Sequence, residues 1–239
     1  MEHVAGEVLD SPDKADLLPL ELRRPACEHL VDVLAELHAA DVDAIGLGDL
    51  ARRDGYVERQ IRRWSTQWTN SKTRDIPAIE EVARHLTANV PQQHGVSIAH
   101  GDYRFGNCLV DVATGEIAAV LDWELCTLGD PLADLGYLGV YWADASGESR
   151  ANDPTGASGF MSYGDVVDRY AERTGRDVSQ IDYYVAFSSW RLAVISEGVY
   201  ARYLNGAMGD QDDPEALERV RVGTGELATK ALDAVRRLS

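Results

Sequence analysis

A change of hydrophobic period part-way along the chain restricts its fold more than any other feature. Toward the N-terminus, apolar residues recur at helical spacing: Leu30, Val33, Leu34 and Leu37 follow Pro25, and this pattern predicts an amphipathic helix over 25–40 that ends near Asp41. A second helix is expected after Asp54-Gly55, with Tyr56, Ile61, Trp64 and Trp68 close to one face, and a third from about Pro77 to Leu86. In the middle the period shortens. Residues 96–99, 108–111 and 117–121 are short apolar runs, and Ala113-Thr114-Gly115-Glu116 between the last two is turn chemistry, so they read as a small hairpin. Helical spacing then returns. Asp130-Pro131 supplies a cap and a first-turn proline for a helix through Leu135, Leu138 and Tyr141. Residues 144–161 are rich in Gly, Ser, Asp and Asn and read as a long surface loop, followed by helices over about 163–174, 179–204 and 213–237. The expected fold is α+β and mostly helical, with one small central β-hairpin and no internal repeat.

Bulk properties narrow the classes of partner. Of the 239 residues 45% are hydrophobic, enough to bury a core, so disorder is not expected. A net charge of −17 argues against nonspecific binding to nucleic acid or to anionic lipid, both of which would be repelled. Cys27, Cys108 and Cys126 are odd in number, far apart and without Cys-x-x-Cys spacing, which suits reduced thiols better than a zinc site. There is no run of eighteen apolar residues, and Met1-Glu2-His3-Val4 has neither a basic nor an apolar leader region. A cytoplasmic protein without membrane or nucleic-acid partners is expected.

The chemistry concentrates in His100-Gly101-Asp102-Tyr103-Arg104-Phe105-Gly106-Asn107, followed beyond the hairpin by Val120-Leu121-Asp122-Trp123-Glu124. An Asp is followed five residues later by an Asn, and fifteen residues after that by a second Asp. Phosphoryl transfer asks for a carboxylate at the attacking hydroxyl and for oxygen ligands to magnesium at the phosphates. Two carboxylates and one amide meet that demand, and a hairpin can hold its entry loop and its exit toward the same space. The spacing His-x-Asp-x-x-x-x-Asn matches the protein-kinase catalytic loop, with Gly101 in place of the usual Arg. Turn-forming Asp and Asn beside a hairpin would be the plainer explanation of the same residues. A zinc site from His94, His100 and Asp102 lacks a helical frame.

These segments, with Gly129-Asp130-Pro131-Leu132-Ala133-Asp134-Leu135, resemble the signature of aminoglycoside phosphotransferase and choline kinase-like enzymes. The branch most resembled includes kinase domains fused to acyl-CoA dehydrogenases, and the likeness extends through Leu37-His38, the Gln60 to Trp68 region and 190–203. The resemblance implies a protein-kinase-like large (C-terminal) lobe that transfers the γ-phosphate of ATP to a small hydroxyl-bearing substrate. By the same likeness Asp102 is the base, Asn107 and Asp122 are magnesium ligands, Asp134 supports the catalytic-loop backbone and His100 is structural. Asp130 reads as a helix cap. Glu124 could meet a second metal or position Arg104. Glu197 interrupts the apolar stripe of Phe187, Trp190 and Val194, which suits either a substrate contact or a buried ion pair.

The N-terminal lobe of such a kinase carries a glycine-rich loop and a strand lysine. Lys14, Lys72 and Lys230 are the three lysines, none in a Val-Ala-x-Lys strand, and Gly46-Leu47-Gly48 lacks a third glycine. Residues 1–6 resemble the inter-lobe hinge, in which Glu2 and Val4 would meet adenine through their backbone. The expectation is therefore a hinge remnant over 1–8 and a catalytic lobe over 9–239, with the N-terminal lobe absent. Self-association through the exposed small-lobe docking face and little activity of the chain alone would follow. A kinase-derived binding module without catalysis and a magnesium-dependent hydrolase are the alternatives, the second lacking an Asp-x-Asp nucleophile.

Overall fold

The computed structural model describes residues 3–144, 146–147, 153–206 and 214–238. Its helices are α1 (Leu20–Ala39), α2 (Tyr56–Ser71), α3 (Pro77–Ala88), α4 (Leu132–Tyr141), α5 (Tyr163–Thr174), α6 (Ile181–Leu204) and α7 (Pro214–Arg237). The strands are β1 (Ser97–Ala99), β2 (Cys108–Val110), β3 (Ile117–Val120) and β4 (Thr127–Gly129). The chain divides into two units: Met1–Asp54 with His94–Ser179, and Gly55–Gln93 with Gln180–Ser239.

In the first unit α1 buries Cys27, Leu30, Val31, Leu34 and His38, a stripe at three- and four-residue spacing. Full burial of a leucine such as Leu30 or Leu34 is worth about 2 kcal/mol. The helix begins five residues earlier than the proline signal suggests. Leu20 to Arg24 are all good helix formers, and the Leu22 amide already bonds the Pro19 carbonyl at 2.9 Å, so Pro25 lies inside the helix and not at its start. At α5 the local signals suffice: Ser162 accepts the Asp165 amide at 3.1 Å, and Gly175 (φ +66°) closes the C-terminus in the left-handed conformation. Buried Cys27 and Cys108 lose solvation, which pushes both thiols up to about 12.

The hairpin pairs β2 with β3 antiparallel, Cys108 opposite Val120, with a register shift between Leu109 and Val110. Its turn uses Gly115 at φ +80°, where an added Cβ would lie 3.1 Å from the Leu22 carbonyl oxygen. Glu7 adds a short antiparallel bridge to Val110, with N–H···O distances of 2.9 and 2.8 Å. A second two-stranded sheet, β1 with β4, was not legible in the sequence, because Thr127-Leu128-Gly129 is too short to show alternation. The 144–161 segment departs from a plain surface loop: Asp153, Thr155 and Met161 are buried. Trp142 Nε1 donates to the Met161 carbonyl at 2.8 Å and Arg23 Nη1 to the Ser158 carbonyl at 2.9 Å, so polar partners fold the segment onto its unit.

The second unit is built from α2, α3, α6 and α7. Trp190 Nε1 donates to the Ile79 carbonyl at 3.1 Å and the Tyr183 hydroxyl to the Leu86 carbonyl at 2.9 Å, joining α6 to α3. Trp68 is buried, while half-buried Trp64 donates its indole N–H to Gln60 at 3.0 Å. Glu197 has no exposed surface. Its Oε1 accepts the Thr73 amide at 3.0 Å and the Thr73 hydroxyl at 2.6 Å, and its Oε2 accepts from Arg74 at 3.2 Å. No helix among the described residues is long and apolar enough to cross a membrane.

Candidate active site

After β1 the chain turns sharply through His100 and Gly101. Gly101 sits at φ +85°, and a Cβ there would meet the Leu125 carbonyl oxygen at 3.1 Å, so both backbone and space require glycine. The turn is held from below by Asp134 on α4. Its Oδ2 accepts the His100 amide at 2.6 Å and its Oδ1 the Gly101 amide at 2.8 Å, and His38 Nε2 lies 3.3 Å from Oδ2. Burial alone would raise the Asp134 carboxyl, but the His38 hydrogen bond and the two amides outweigh it and hold the group below its ordinary value.

From this anchor hydrogen bonds run outward to Asp102, Asn107 and Leu121, the residue before Asp122. His100 Nδ1 accepts the Asp102 amide at 3.2 Å, and His100 Nε2 bonds the Leu121 carbonyl at 2.8 Å. Asn107 donates its side-chain amide to the Asp102 carbonyl at 2.8 Å, and its own carbonyl accepts the Leu121 amide at 2.8 Å. The sequence-predicted Asp102, Asn107 and the residue before Asp122 are thus tied into one network. Asp122 itself is exposed and adopts φ +63°, ψ +54°. Among the described residues it is the one non-glycine with positive φ.

Asp102 is half-buried, with Oδ1 enclosed and without a hydrogen-bond partner; Arg104 Nε stands 3.6 Å away. The Arg104 guanidinium lies 4.9 Å from the centroid of the Tyr141 ring and passes so close to Gly106 that a Cβ there would overlap it. Asp130 is fully buried and accepts the Leu132 amide at 3.0 Å and the His94 amide at 2.9 Å, a capping geometry. Glu124 is exposed on the 3-10 turn Trp123–Leu125, and Val4 is exposed near the N-terminus. Glu2 lies outside the described residues, and Glu197 belongs to the second unit. Sequence reasoning did not single out the side chains of His38, Tyr141 or Tyr170. The available signal was His38 at the end of the apolar stripe of α1, where a polar group must find a buried partner.

The APH family model, described as the phosphotransferase enzyme family, matches residues 1–172. The chain belongs to this phosphotransferase family. Acyl-CoA dehydrogenase family member 11 of Gallus gallus is 32% identical over 247 residues, covering 100% of this chain and 31% of that protein. Family member 10 of Mus musculus is 32% identical over 212 residues, covering 86% of this chain and 20% of that protein. The chain therefore spans about a third or less of the length of these relatives. A candidate aminoglycoside phosphotransferase from Ralstonia eutropha superposes with a TM-score of 0.84 at 32% identity, covering 99% of this chain and 72% of that one. A choline/ethanolamine kinase family protein from Mesorhizobium loti shares the fold, with a TM-score of 0.58 at 17% identity over 99% of this chain and 72% of that one.

Within this phosphotransferase the left-handed backbone at Asp122 is a local strain, since a side chain there costs about 1–2 kcal/mol. Asp122→Gly should accordingly be more stable than Asp122→Ala by about 1 kcal/mol, the reverse of neutral expectation elsewhere. Urea unfolding of the two variants measures the difference, and equal midpoints would mean that the strain is absent.

Proposed function

We propose that this chain transfers the terminal phosphoryl group of ATP to a hydroxyl of a small molecule. Asp102 serves as the base that receives the hydroxyl proton, and Asn107 and Asp122 hold magnesium. The observation that carries this reading is the enclosed Asp102 Oδ1, which accepts no hydrogen bond although the amide and carbonyl of the same residue are bonded to His100 and Asn107. An unpaired buried acceptor costs about 1–3 kcal/mol. An incoming O–H would satisfy it, and that hydrogen bond orients the oxygen for attack. Arg104, placed against the Tyr141 ring, keeps a positive charge beside the carboxylate.

The donor chemistry suits magnesium. Among the described residues no group of three or more His, Cys, Asp or Glu could hold a metal by itself. Magnesium binds through one or two protein oxygens and otherwise through water and phosphate, so it needs no such group. Asn107 commits its amide nitrogen to the Asp102 carbonyl, which leaves its side-chain oxygen for a cation, and Asp122 offers an exposed carboxylate. When bound, the ion would neutralise phosphate charge. In this reading residues 1–8 form the hinge, where Val4 and Glu2 meet adenine, and 9–239 the kinase-like catalytic lobe. The Glu7 bridge to Val110 supports the hinge assignment by tying that segment to the hairpin. The acceptor is an aminoglycoside, an amino alcohol, a sugar or a hydroxy-acyl compound, and ADP release across these four classes identifies it.

Removing the charged ligand tests the metal assignment. Asp122→Ala should weaken magnesium-dependent ATP binding on the order of 10-fold or more, with little change in magnesium-free binding. Calorimetry with and without magnesium measures both. An unchanged magnesium dependence would remove Asp122 from the site.

A further inference from the structure

The loop that carries Asp102 rests on Asp134, and Asp134 in turn rests on two side chains to which no role has yet been given. His38 is buried, and its ring bridges two elements: Nε2 faces Asp134 Oδ2 at 3.3 Å, and Nδ1 meets the Tyr170 hydroxyl on α5 at 2.7 Å. The chemistry of the ends orients the bonds between them. Asp134 already accepts two backbone amides and, as a carboxylate, can only accept, so His38 Nε2 carries a proton. In the Nε2–H tautomer Nδ1 is the acceptor, and the Tyr170 O–H donates to it. Burial pushes the Tyr170 phenol up, which keeps that proton in place. The Arg176 guanidinium lies beside the Tyr170 hydroxyl and also donates to the His38 carbonyl at 3.3 Å. The result is a one-way series of donors from Tyr170 through His38 to Asp134, and from the opposite side the amides of His100 and Gly101 donate to the same carboxylate.

We propose that Tyr170 and His38 are positioning residues for the catalytic loop: Tyr170 fixes the ring orientation and tautomer of His38, and His38 fixes the Asp134 carboxylate that holds His100 and Gly101. The words "catalytic loop" rest on the function proposed above; the hydrogen-bond series does not. The contacts span sequence separations of 132 and 96 residues, so α5 and α1 both bear on the loop through one buried imidazole. An ordinary packing role would need neither the hydroxyl nor the ring nitrogens, whereas this one depends on both.

The test uses the full chain, labelled with 15N. Long-range 1H–15N spectra should show His38 protonated at Nε2 and bare at Nδ1. In Tyr170→Phe, which keeps the ring and removes only the donor, amide hydrogen exchange at His100 and Gly101 should accelerate about tenfold, the scale of one lost hydrogen bond. Exchange at the Glu7 and Val110 amides should not change. His38→Gln, with an amide nitrogen where Nε2 stood, should retain protection at His100 and Gly101 that His38→Leu loses. In turnover, Tyr170→Phe should lower kcat about tenfold at unchanged KM for ATP. A His38 protonated at Nδ1, or unchanged exchange at His100 and Gly101 in Tyr170→Phe, overturns the proposal. If the parent chain shows no phosphoryl transfer even with a nucleotide-binding lobe supplied in trans, the function proposed above fails, and the tautomer and the exchange rates still decide the positioning role.

Discussion

Asp102→Asn is expected to lower the rate of phosphoryl transfer by about 10²-fold or more while leaving ATP affinity nearly unchanged. The substitution keeps the volume and one oxygen, so the hydrogen bonds around it, from the Asp102 amide to His100 and from Asn107 to the Asp102 carbonyl, use backbone atoms and survive. What is lost is the ability to take a proton at Oδ1, the enclosed atom that faces Arg104 at 3.6 Å. Nucleotide affinity belongs to other residues in this assignment, chiefly Asn107 and Asp122. Coupled ADP release with the identified acceptor gives kcat, and calorimetry gives the ATP dissociation constant. Turnover within tenfold of the parent would mean that another group takes the proton.

Asp134→Ala should destabilise the first unit by about 3 kcal/mol or more. It strips acceptors from two buried amides and from His38 at once. The effect should depend on pH in a defined direction. The Asp134 carboxyl is held below its ordinary 3.8, because the His38 bond and the two amides outweigh the upward push of burial. A depressed carboxyl stabilises the fold fully above its unfolded value and loses that contribution as pH falls through the folded one. The gap in unfolding free energy between parent and Asp134→Ala should therefore be widest near neutral pH and narrow below the ordinary 3.8. Urea melts across that range test it. A gap that does not change with pH would assign the cost to lost packing and not to the ionised carboxylate.

Much of the molecule was legible from local chemistry. The Ser162 cap and the Gly175 terminus bracket α5 within the sequence itself, and Gly115 marks the hairpin turn because few residues but glycine accept its φ of +80°. That Asn107 would meet the Leu121 backbone could be anticipated for a similar reason: a hairpin of fixed length separates them, so spacing along the chain converts into proximity. Where local signals competed, the boundary was misplaced, as at Pro25, where a proline that can open a helix lies within one that Leu20 to Arg24 have already begun. The buried part of 144–161 was hidden because its polar composition suits a loop whether or not partners such as Trp142 and Arg23 draw it inward.

Tertiary structure decided what depends on residues far apart in the chain. Thr127 to Gly129 become a strand only because β1 lies alongside, and Asp122 adopts a left-handed conformation that Asp tolerates but that spacing along the chain does not announce. Arg104 acquires its direction from Tyr141, a residue on another element. The histidine at position 38 enters the sequence reading only within the Leu37-His38 resemblance, without a partner. Its partners, Asp134 and Tyr170, lie 96 and 132 residues further along, and periodicity records which face of a helix is buried but not what that face meets.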